Sequence, residues 1–466
     1  MSLWMHWCNA IWRLRPAFSR LQTFLWFATA VAGFSARADL LGVTSIVRAL
    51  NLDARYYNAL RDSFHSSAVK LDQLTALWTQ LVLRLFPGKL LVNGRYVLVG
   101  DGIKVAKCGR KMPGVKLLHQ QSEANTKPEF IMGHSMQAVG ILVHAASSFF
   151  AVPLAIRIHE GLVWSNRDRR TLLDKMLALL GIAAVDHPFY FVADAYYATH
   201  KIVAGLLKQD NHLITRMKSN AVAYTPYRHR GPRKPGRPRV YGRKLKLRTL
   251  LQDAKAFQKA PSPVYGENKV TIQYRVRDLL WRPAGRMVRF VVVVHPTRGS
   301  CMLMSTDTSL DAIDIVRLYG LRFKIELSFK QAVHQIGTFA YHFWMFDMKL
   351  RRRNDGNQHL HRASPKYRDD VKRKLHAYHV FIQTGLICQG LLQYLSVAHP
   401  RLVWASFGSW LRTVRPGIPP SELVVATALR QRLPEFLLDT PKHQIFTKFL
   451  AKRADTNKMQ GFQLAA

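Results

Sequence analysis

Three side chains that could act together chemically lie within the segment 319–326. Tyr319, Arg322 and Glu326 are spaced so that on a helix a phenol, a guanidinium and a carboxylate share an arc of about 60°. Apolar residues recur at helical intervals through residues 309–333, which predicts a helix there. A carboxylate beside a guanidinium is also a common surface ion pair, so this segment alone does not define a site.

Two aspartates follow short apolar runs in the first half of the chain. Asp101 comes after residues 96–100, and Asp194 comes after residues 189–193. Such runs, interleaved with helical segments, predict a buried sheet, and reactive groups collect at the carboxyl ends of strands in a sheet of this kind. Each aspartate also has a structural interpretation, because Asp101 could begin a turn with the next glycine and Asp194 could cap a helix.

Taken together, Asp101, Asp194 and Glu326 indicate hydrolysis of a phosphodiester with two metal ions. Three carboxylates can hold two Mg²⁺ or Mn²⁺ ions about 4 Å apart, where one activates the attacking water and the other stabilises the leaving oxygen. Hard carboxylate oxygens suit these ions better than zinc. This chemistry needs no side-chain base, in keeping with a sequence that offers no convincing Ser/His/Asp or Cys/His set.

The charge of the chain indicates a polyanionic partner. Its 466 residues hold 69 Lys and Arg against 28 Asp and Glu, for a formal net charge of +41. A field of this sign attracts nucleic acid before any specific contact forms. Since 48% of the residues are hydrophobic, the chain can also bury a sizeable core, which argues against a disordered polycation.

Cysteine usage and the N-terminus indicate a compartment. The four cysteines are far apart with no Cys-x-x-Cys pair, which favours neither a disulfide framework nor a zinc site and fits a reducing cytoplasm. Residues 21–34 and the small-residue site at 36–38 imitate a signal peptide, but the same apolar stretch also predicts a buried helix. Its roughly 14 apolar residues are too few to span a bilayer. We therefore expect a buried helix, no membrane association, and a cytoplasmic, nucleoid-associated protein.

The order of these motifs resembles a known family. Asp101-Gly, Asp194-Ala-Tyr-Tyr and Tyr319-x-x-Arg-x-x-x-Glu326 are similar to the motifs of the DDE transposases of bacterial insertion sequences, specifically the cut-and-paste group with a Tyr-Arg-Glu-Lys signature. Segments 109–119 and 337–345 add to the likeness, which spans most of residues 40–345. The resemblance implies an α/β fold with an RNase H-like catalytic core, a β-rich insertion that interrupts it, and helical N- and C-terminal regions.

The resemblance also implies an activity. Such a transposase cleaves double-stranded DNA at the terminal inverted repeats of its own element, passes through a hairpin intermediate, and joins the freed 3′-hydroxyl ends to target DNA. Tyr319 and Arg322 would contact the terminal phosphates, and the two-ended reaction implies a homodimer. One alternative is an inactive or domesticated transposase that acts as a sequence-specific DNA-binding protein. Another is a resolvase or nuclease on the same core.

One position departs from the family pattern. The signature asks for lysine seven residues after the glutamate, and Val333 stands there. Lys330 falls close to the same helical arc as Glu326. Either Lys330 contacts the terminal DNA in place of the expected lysine, or it is a plain solvated residue.

A basic loop precedes the predicted insertion strands. Residues 228–248 hold ten Lys and Arg and no acid. Within them Arg233, Arg237 and Arg239 resemble an AT-hook that reads a narrow minor groove. An unstructured loop that binds phosphates through charge alone is the alternative, and it is the one that we favour. Trp281, farther along, either stacks on a flipped base or is a buried structural tryptophan.

The pattern along the chain predicts five parts. They are a helical N-terminal DNA-binding region (1–90), the first part of the core (91–217), the β-rich insertion with its basic loop (218–307), the second part of the core (308–400) and a helical C-terminal region (401–466). Within the first part, two short helices near a tight turn at residues 42–45 fit either a helix-turn-helix or ordinary helical packing.

Overall fold

A mixed sheet of thirteen strands lies at the centre of the molecule in a computed structural model. Two further short strands form a small parallel pair. The structure describes residues 2–120, 128–146, 148–228, 236, 238–264, 266–410, 413–415, 417–438 and 444–455. The strands are β1 (Leu91–Val92), β2 (Arg95–Ala106), β3 (Lys116–His119), β4 (Phe130–Ala145), β5 (Ser148–Ile158), β6 (Leu162–Val163), β7 (Phe189–Ala193), β8 (His212–Arg216), β9 (Val222–Pro226), β10 (Tyr241–Lys246), β11 (Gln258–Pro261), β12 (Thr271–Trp281), β13 (Arg286–His295), β14 (Gly299–Ser305) and β15 (Gln358–His359).

Helices cover this sheet and form both ends of the described chain. They are α1 (Leu3–Trp12), α2 (Leu21–Ala36), α3 (Gly42–Ala49), α4 (Tyr57–Ser63), α5 (Leu71–Leu85), α6 (Leu172–Ala183), α7 (His200–Leu207), α8 (Ala312–Leu321), α9 (Lys324–Gln331), α10 (Pro365–Ala398), α11 (Pro400–Ser406), α12 (Glu422–Gln431), α13 (Leu433–Leu438) and α14 (Gln444–Ala451).

Five strands form the catalytic layer, in the order β5-β4-β2-β7-β8. The first three are antiparallel, whereas β7 lies parallel to both β2 and β8. Helices α6 and α7 make the crossovers that parallel strands require. This is the RNase H-like core that the sequence predicts. The predicted strands are confirmed, and β2 and β4 are longer than their apolar runs because polar residues continue both strands.

The β-rich insertion extends the same sheet. Its strands follow the order β10-β9-β12-β13-β14, and β14 pairs with β8 of the core. The predicted strands at 270–276 and 288–294 are present as β12 and β13. Polar and apolar residues alternate only in part along β12, whereas residues 290–293 of β13 are buried on both faces. Hydrogen bonding is therefore continuous from the insertion to the strands that carry the aspartates.

Helix α10 is the central helix of the fold. It begins eleven residues earlier than predicted, because Ser364 caps it by accepting a hydrogen bond from the backbone N–H of Tyr367 and Pro365 favours a first helical turn. By length and composition it could span a bilayer, but 89% of its most apolar window is buried within the protein, so it is a core helix here. The apolar helix α2 packs against it, with Ser35 Oγ 3.4 Å from Cys388 Sγ.

The N-terminal and C-terminal helices pack against each other. Trp4 Nε1 donates to Leu429 O at 2.8 Å, and the guanidinium of Arg430 donates to Ala36 O and Arg37 O. Helix α3 starts at Gly42, so the predicted turn at 42–45 is wrong. Both α3 and α4 pack on α2, an arrangement that fits a helix-turn-helix and ordinary packing alike. The division into five parts stays a prediction.

A matched pair of glycine substitutions tests the packing of α10. A Cβ atom on Gly390 would lie 2.2 Å from Cζ2 of Trp78, whereas a Cβ on Gly181 in α6 meets nothing within 4 Å. We expect Gly390→Ala to lower the free energy of unfolding by about 1–3 kcal/mol through overpacking. Gly181→Ala should raise it by about 0.5–1 kcal/mol through backbone entropy. Urea denaturation measures both, and equal effects would contradict the packing of α10 against Trp78.

Candidate active site

The strand register brings Asp101 and Asp194 side by side. Strands β2 and β7 are parallel and pair Val99 with Val192, and each aspartate comes two residues after that pair. Paired positions in a parallel ladder point to the same face, so both carboxylates leave the sheet together. Asp194 also accepts a hydrogen bond from the backbone N–H of Tyr196 at 3.0 Å, so it is both a cap and a site residue.

The prediction that Asp101 ends its strand is wrong. Strand β2 continues to Ala106 beside β4, and Asp101 is paired there with Ala138. Only the pairing with β7 ends before Asp101. At Asp101, β2 is therefore still paired with β4 but no longer with β7. This leaves space beside the carboxylate, while the backbone of Asp101 remains hydrogen-bonded in the sheet.

Arg322 joins the glutamate to the first aspartate. Its Nη1 donates to Asp101 Oδ2 at 2.7 Å, and its Nη2 donates to Glu326 Oε1 at 2.8 Å. The side chains of Arg322 and Asp101 are both about one-fifth exposed, whereas that of Glu326 is half exposed. The surface ion pair considered from the sequence is thus a bridge between two elements, a strand and a helix, far apart in the chain.

The helix predicted at 309–333 is interrupted at this bridge. Helix α8 ends at Leu321 and α9 begins at Lys324, with a tighter turn between them in which Arg322 N donates to Tyr319 O at 3.1 Å and Ile325 N donates to Arg322 O at 3.1 Å. Tyr319 lies behind the bridge, with its ring centroid 6.0 Å from the guanidinium carbon. Hence the three residues meet through a kinked pair of helices, not along one straight face.

Burial controls the protonation of the two aspartates. Loss of solvent raises the pKa of Asp101, against the opposing effect of the Arg322 guanidinium. Burial likewise raises the pKa of Asp194. The neighbouring carboxylates Asp194 and Glu326 raise the pKa of Asp101 further.

The three acids line one open cleft of about 630 Å³. The sequence did not point to several other residues of its wall, among them Lys104, His159 and Glu160, whereas Tyr196 belongs to the motif that begins at Asp194. Glu160 Oε1 lies 3.5 Å from Lys116 Nζ. Burial lowers the pKa of His159 to about 4. Glu160 follows β5 closely, so the rule that selected Asp101 and Asp194 could have found it as well.

The donor set suits a hard divalent cation, although the side chains are not gathered around one. Over the described residues, no group of three His, Cys, Asp or Glu side chains is close enough to hold a metal ion. The Arg322 guanidinium supplies the positive charge between Asp101 and Glu326 instead. By the chemistry of their donor atoms, carboxylate oxygens that open to solvent suit Mg²⁺ or Mn²⁺.

The structure describes both Lys330 and Val333, the two positions that bear on the lysine expected from the family pattern. Lys330 is exposed in the last turn of α9, on the element that carries Glu326. Val333 is also exposed, but it lies in a π-helical turn, Ala332–Ile336, which shifts the helical register after α9. Position 333 therefore does not continue the face of α9 in the way that a regular helix would.

The basic loop is described only in part. Arg233 and Arg237 lie outside the described residues. Arg239 is exposed; its Nε donates to Tyr241 O at 2.9 Å, and its guanidinium carbon lies 5.1 Å from the ring centroid of Tyr227. Trp281 is buried, which favours the structural interpretation over base stacking.

Replacement of Asp194 by an uncharged residue tests whether its buried charge destabilises the fold. The free energy of unfolding is measured with a chelator present, so that no metal ion occupies the site. Because the pKa of Asp194 is raised, the folded state holds a proton that the unfolded state releases, and stability falls as pH rises through that interval. Asp194→Asn can still cap and carries no charge. We expect it to exceed the wild type in free energy of unfolding at pH 7, with the difference closing below about pH 3.9.

Asp168→Asn is the control of opposite sign. Hydrogen bonds from Arg170 lower the pKa of Asp168, so its charge stabilises the fold above the unfolded pKa. That variant should be less stable than the wild type at pH 7. A loss of stability in Asp194→Asn at pH 7 would contradict the conclusion that the buried charge of Asp194 destabilises the folded protein.

Among known proteins, one family model matches more than half of this chain. A search of curated proteins finds no match. Among solved structures the chain is similar to a piggyBac transposase synaptic complex with hairpin DNA, determined by cryo-EM, at 9% sequence identity and a TM-score of 0.37, covering 94% of this chain and 77% of that one. The family model described as DDE superfamily endonuclease matches residues 13–286, which include Asp101 and Asp194. The chain belongs to the DDE superfamily endonuclease family.

Proposed function

We propose that this protein is a cut-and-paste transposase that cleaves DNA at the ends of its own insertion sequence and joins the 3′-hydroxyl ends to target DNA. The observation that carries the proposal is the convergence of Asp101, Asp194 and Glu326 on one open cleft, with an arginine between two of them. A chain with a net charge of +41 has little reason to gather acids where DNA phosphates approach, unless a cation joins them there.

Two Mg²⁺ or Mn²⁺ ions would be held by Asp101, Asp194 and Glu326. Bound there, such ions activate a nucleophilic oxygen and stabilise the leaving oxygen of a phosphodiester. The strand register fixes the two aspartates relative to each other, and α9 supplies the glutamate from the opposite side. The half-exposed carboxylate of Glu326 is the one with freedom to adjust when the Arg322 bridge opens.

The cations of the same helices would hold the DNA. Once released from Asp101, the planar guanidinium of Arg322 can bind a terminal phosphate in a bidentate manner, and Tyr319 behind it restricts the directions it can take. Lys330 lies one helical turn after Glu326, and we assign to it a contact with a DNA phosphate. Arg233, Arg237 and Arg239 are assigned DNA contacts in the loop before β10.

The proposal also covers context. We infer a bacterial insertion-sequence transposase of the Tyr-Arg-Glu-Lys group, cytoplasmic and associated with the nucleoid. Its partners are double-stranded DNA, both terminal inverted repeats and target, and a second copy of the chain when two ends are paired.

Substitution of each acid tests the chemistry. Asp101→Ala, Asp194→Ala and Glu326→Ala should each reduce cleavage at the element boundary by at least about a thousandfold, because each removes a metal ligand. Binding to the same DNA fragment should be largely retained, since these acids repel phosphates. Gel assays of cleavage and binding with Mg²⁺ measure the two properties. Asp369→Ala, which removes an exposed acid of α10, is the matched control.

The outcomes distinguish the alternatives. Cleavage that persists in any one of the three variants would contradict the assignment of these acids as catalytic residues. Specific end binding by a wild-type protein that never cleaves would indicate an inactive or domesticated transposase. Cutting without joining of 3′-hydroxyl ends would indicate a nuclease or resolvase.

Competition between Arg322 and the metal gives a test that does not depend on activity. Arg322→Gln removes the charge that bridges Asp101 and Glu326, so Mn²⁺ should bind the DNA-free protein about tenfold more tightly. End DNA should bind more weakly, because a phosphate contact is lost. Arg317→Gln, which breaks the Asp314 pair on α8, is the control. Titration of Mn²⁺ followed by electron paramagnetic resonance measures the affinity, and unchanged binding in Arg322→Gln would contradict the competition.

A further inference from the structure

The segment that follows the catalytic helices presents two large aromatic side chains to solvent. Residues 341–345 belong to no helix or strand, and a turn follows them in which Met348 N donates to Met345 O at 3.2 Å. From residue 341 to residue 346, buried and exposed side chains alternate. Trp344 is 64% exposed, and Phe346, at the start of the turn, is 89% exposed. The buried side chains of the segment are Tyr341, Phe343, Met345 and Met348. We call Trp344 and Phe346 the aromatic pair.

The backbone under the aromatic pair is held firmly. Met345 N donates to Lys111 O at 3.0 Å, Lys111 Nζ donates to Phe346 O at 2.9 Å, and Tyr378 Oη donates to Phe343 O at 2.8 Å. These bonds anchor the residues on both sides of Trp344. The backbone of the pair is therefore preorganised, so a ligand that covers it would have to order only the two side chains.

A glycine lets Trp344 lie close to a neighbouring loop. A Cβ atom on Gly109 would lie 2.8 Å from Nε1 of Trp344, a separation too short for any other residue without movement. The indole thus packs at its edge against the backbone at Gly109 while most of its surface stays in water. The loop and the aromatic segment form one surface.

One lysine lies against the aromatic pair, and further basic residues follow it in the loop and in the segment. The Lys111 ammonium lies 5.4 Å from the ring centroid of Phe346, and Arg110 Nε donates to Arg351 O, so the loop and the segment bring their basic residues together. Exposed cations of this surface also include Arg110, Lys349, Arg352 and Arg353. Asp347 is the one acid within residues 340–353.

We propose that the aromatic pair is a stacking platform for unpaired nucleobases of DNA. Every base has a π face, and aromatic side chains interleaved with cations bind single-stranded nucleic acid through stacking and phosphate contacts. A duplex hides its base faces, and it would meet the cations only. A second copy of the chain would bring an equally basic face against this one, which like charges oppose.

The position of the platform suits DNA held in the cleft. Strand β2 carries Asp101 and ends at Ala106, just before Lys107. Lys107 is six residues after Asp101, which corresponds to about 20 Å along an extended chain. Lys107 Nζ donates to Tyr341 O at 3.4 Å, which ties the aromatic segment to that end of β2. Unpaired bases about six nucleotides from the scissile phosphate could therefore reach the pair. The inference rests on the proposed function only in taking DNA as the partner.

Binding without cleavage tests the platform. The probes are a short duplex, and the same duplex with a single-stranded thymidine tail of about ten nucleotides, at one salt concentration with a chelator present. We expect the wild type to prefer the tailed probe. Trp344→Ala with Phe346→Ala should lower affinity for the tailed probe by about tenfold or more, with little change for the plain duplex. Trp410→Ala, which removes another highly exposed tryptophan, should change neither.

Two further variants separate stacking from other roles. Trp344→Phe should keep most of the preference for the tailed probe, whereas Trp344→Leu, apolar but without a π face, should lose it. Equal affinity of the wild type for both probes, or an equal loss on both in the double variant, would overturn the proposal. So would a change of oligomeric state in the double variant by light scattering, which would indicate a protein partner. Because no cleavage is involved, failure here is distinct from failure of the transposase assignment.

Discussion

The Arg322 guanidinium, which bridges Asp101 and Glu326, is the interaction on which the arrangement of the site depends. It connects the central strand β2 with α9 and satisfies two carboxylates that would otherwise repel each other at close range. The tight turn between α8 and α9 exists at this point and directs both Arg322 and Glu326 toward the sheet. A straight helix would also put them on one side, but it would lack this tighter turn at Arg322.

Strand β2 extends that constraint to the rest of the molecule. It carries Asp101, and just past its end Lys107 is buried, its Nζ 3.5 Å from the ring centroid of Tyr341 and bonded to the carbonyl of Phe339. Burial lowers the pKa of Lys107 to about 7. Two carbonyl acceptors and an aromatic face replace the carboxylate that a buried lysine usually needs. The same strand thus positions the acid of the cleft and the segment that follows the glutamate.

The sequence predicted most of this fold because its signals were local. Apolar runs identified β2, β4, β5 and β7, and helical spacing identified α6 and α7. The errors have physical causes. The end of β2 was misplaced because pairing with β4 carries polar residues beyond the apolar run, and the kink at Arg322 depends on a tertiary contact with Asp101 that no periodicity contains. Glu160 was missed because, without a family motif, one acid after a strand is weak evidence.

The buried acids give the proposed function a reason for metal and DNA to bind together. Asp101 and Asp194 are buried acids whose raised pKa values show that the fold tolerates their charge poorly. On the proposed function, a DNA phosphate that enters the cleft first adds negative charge beside them, and Arg322 alone cannot neutralise both the carboxylates and the phosphate. A divalent cation that enters first relieves the repulsion among the acids and releases the guanidinium toward the phosphate. Cation and DNA should therefore favour each other's binding, because each removes the charge that opposes the other.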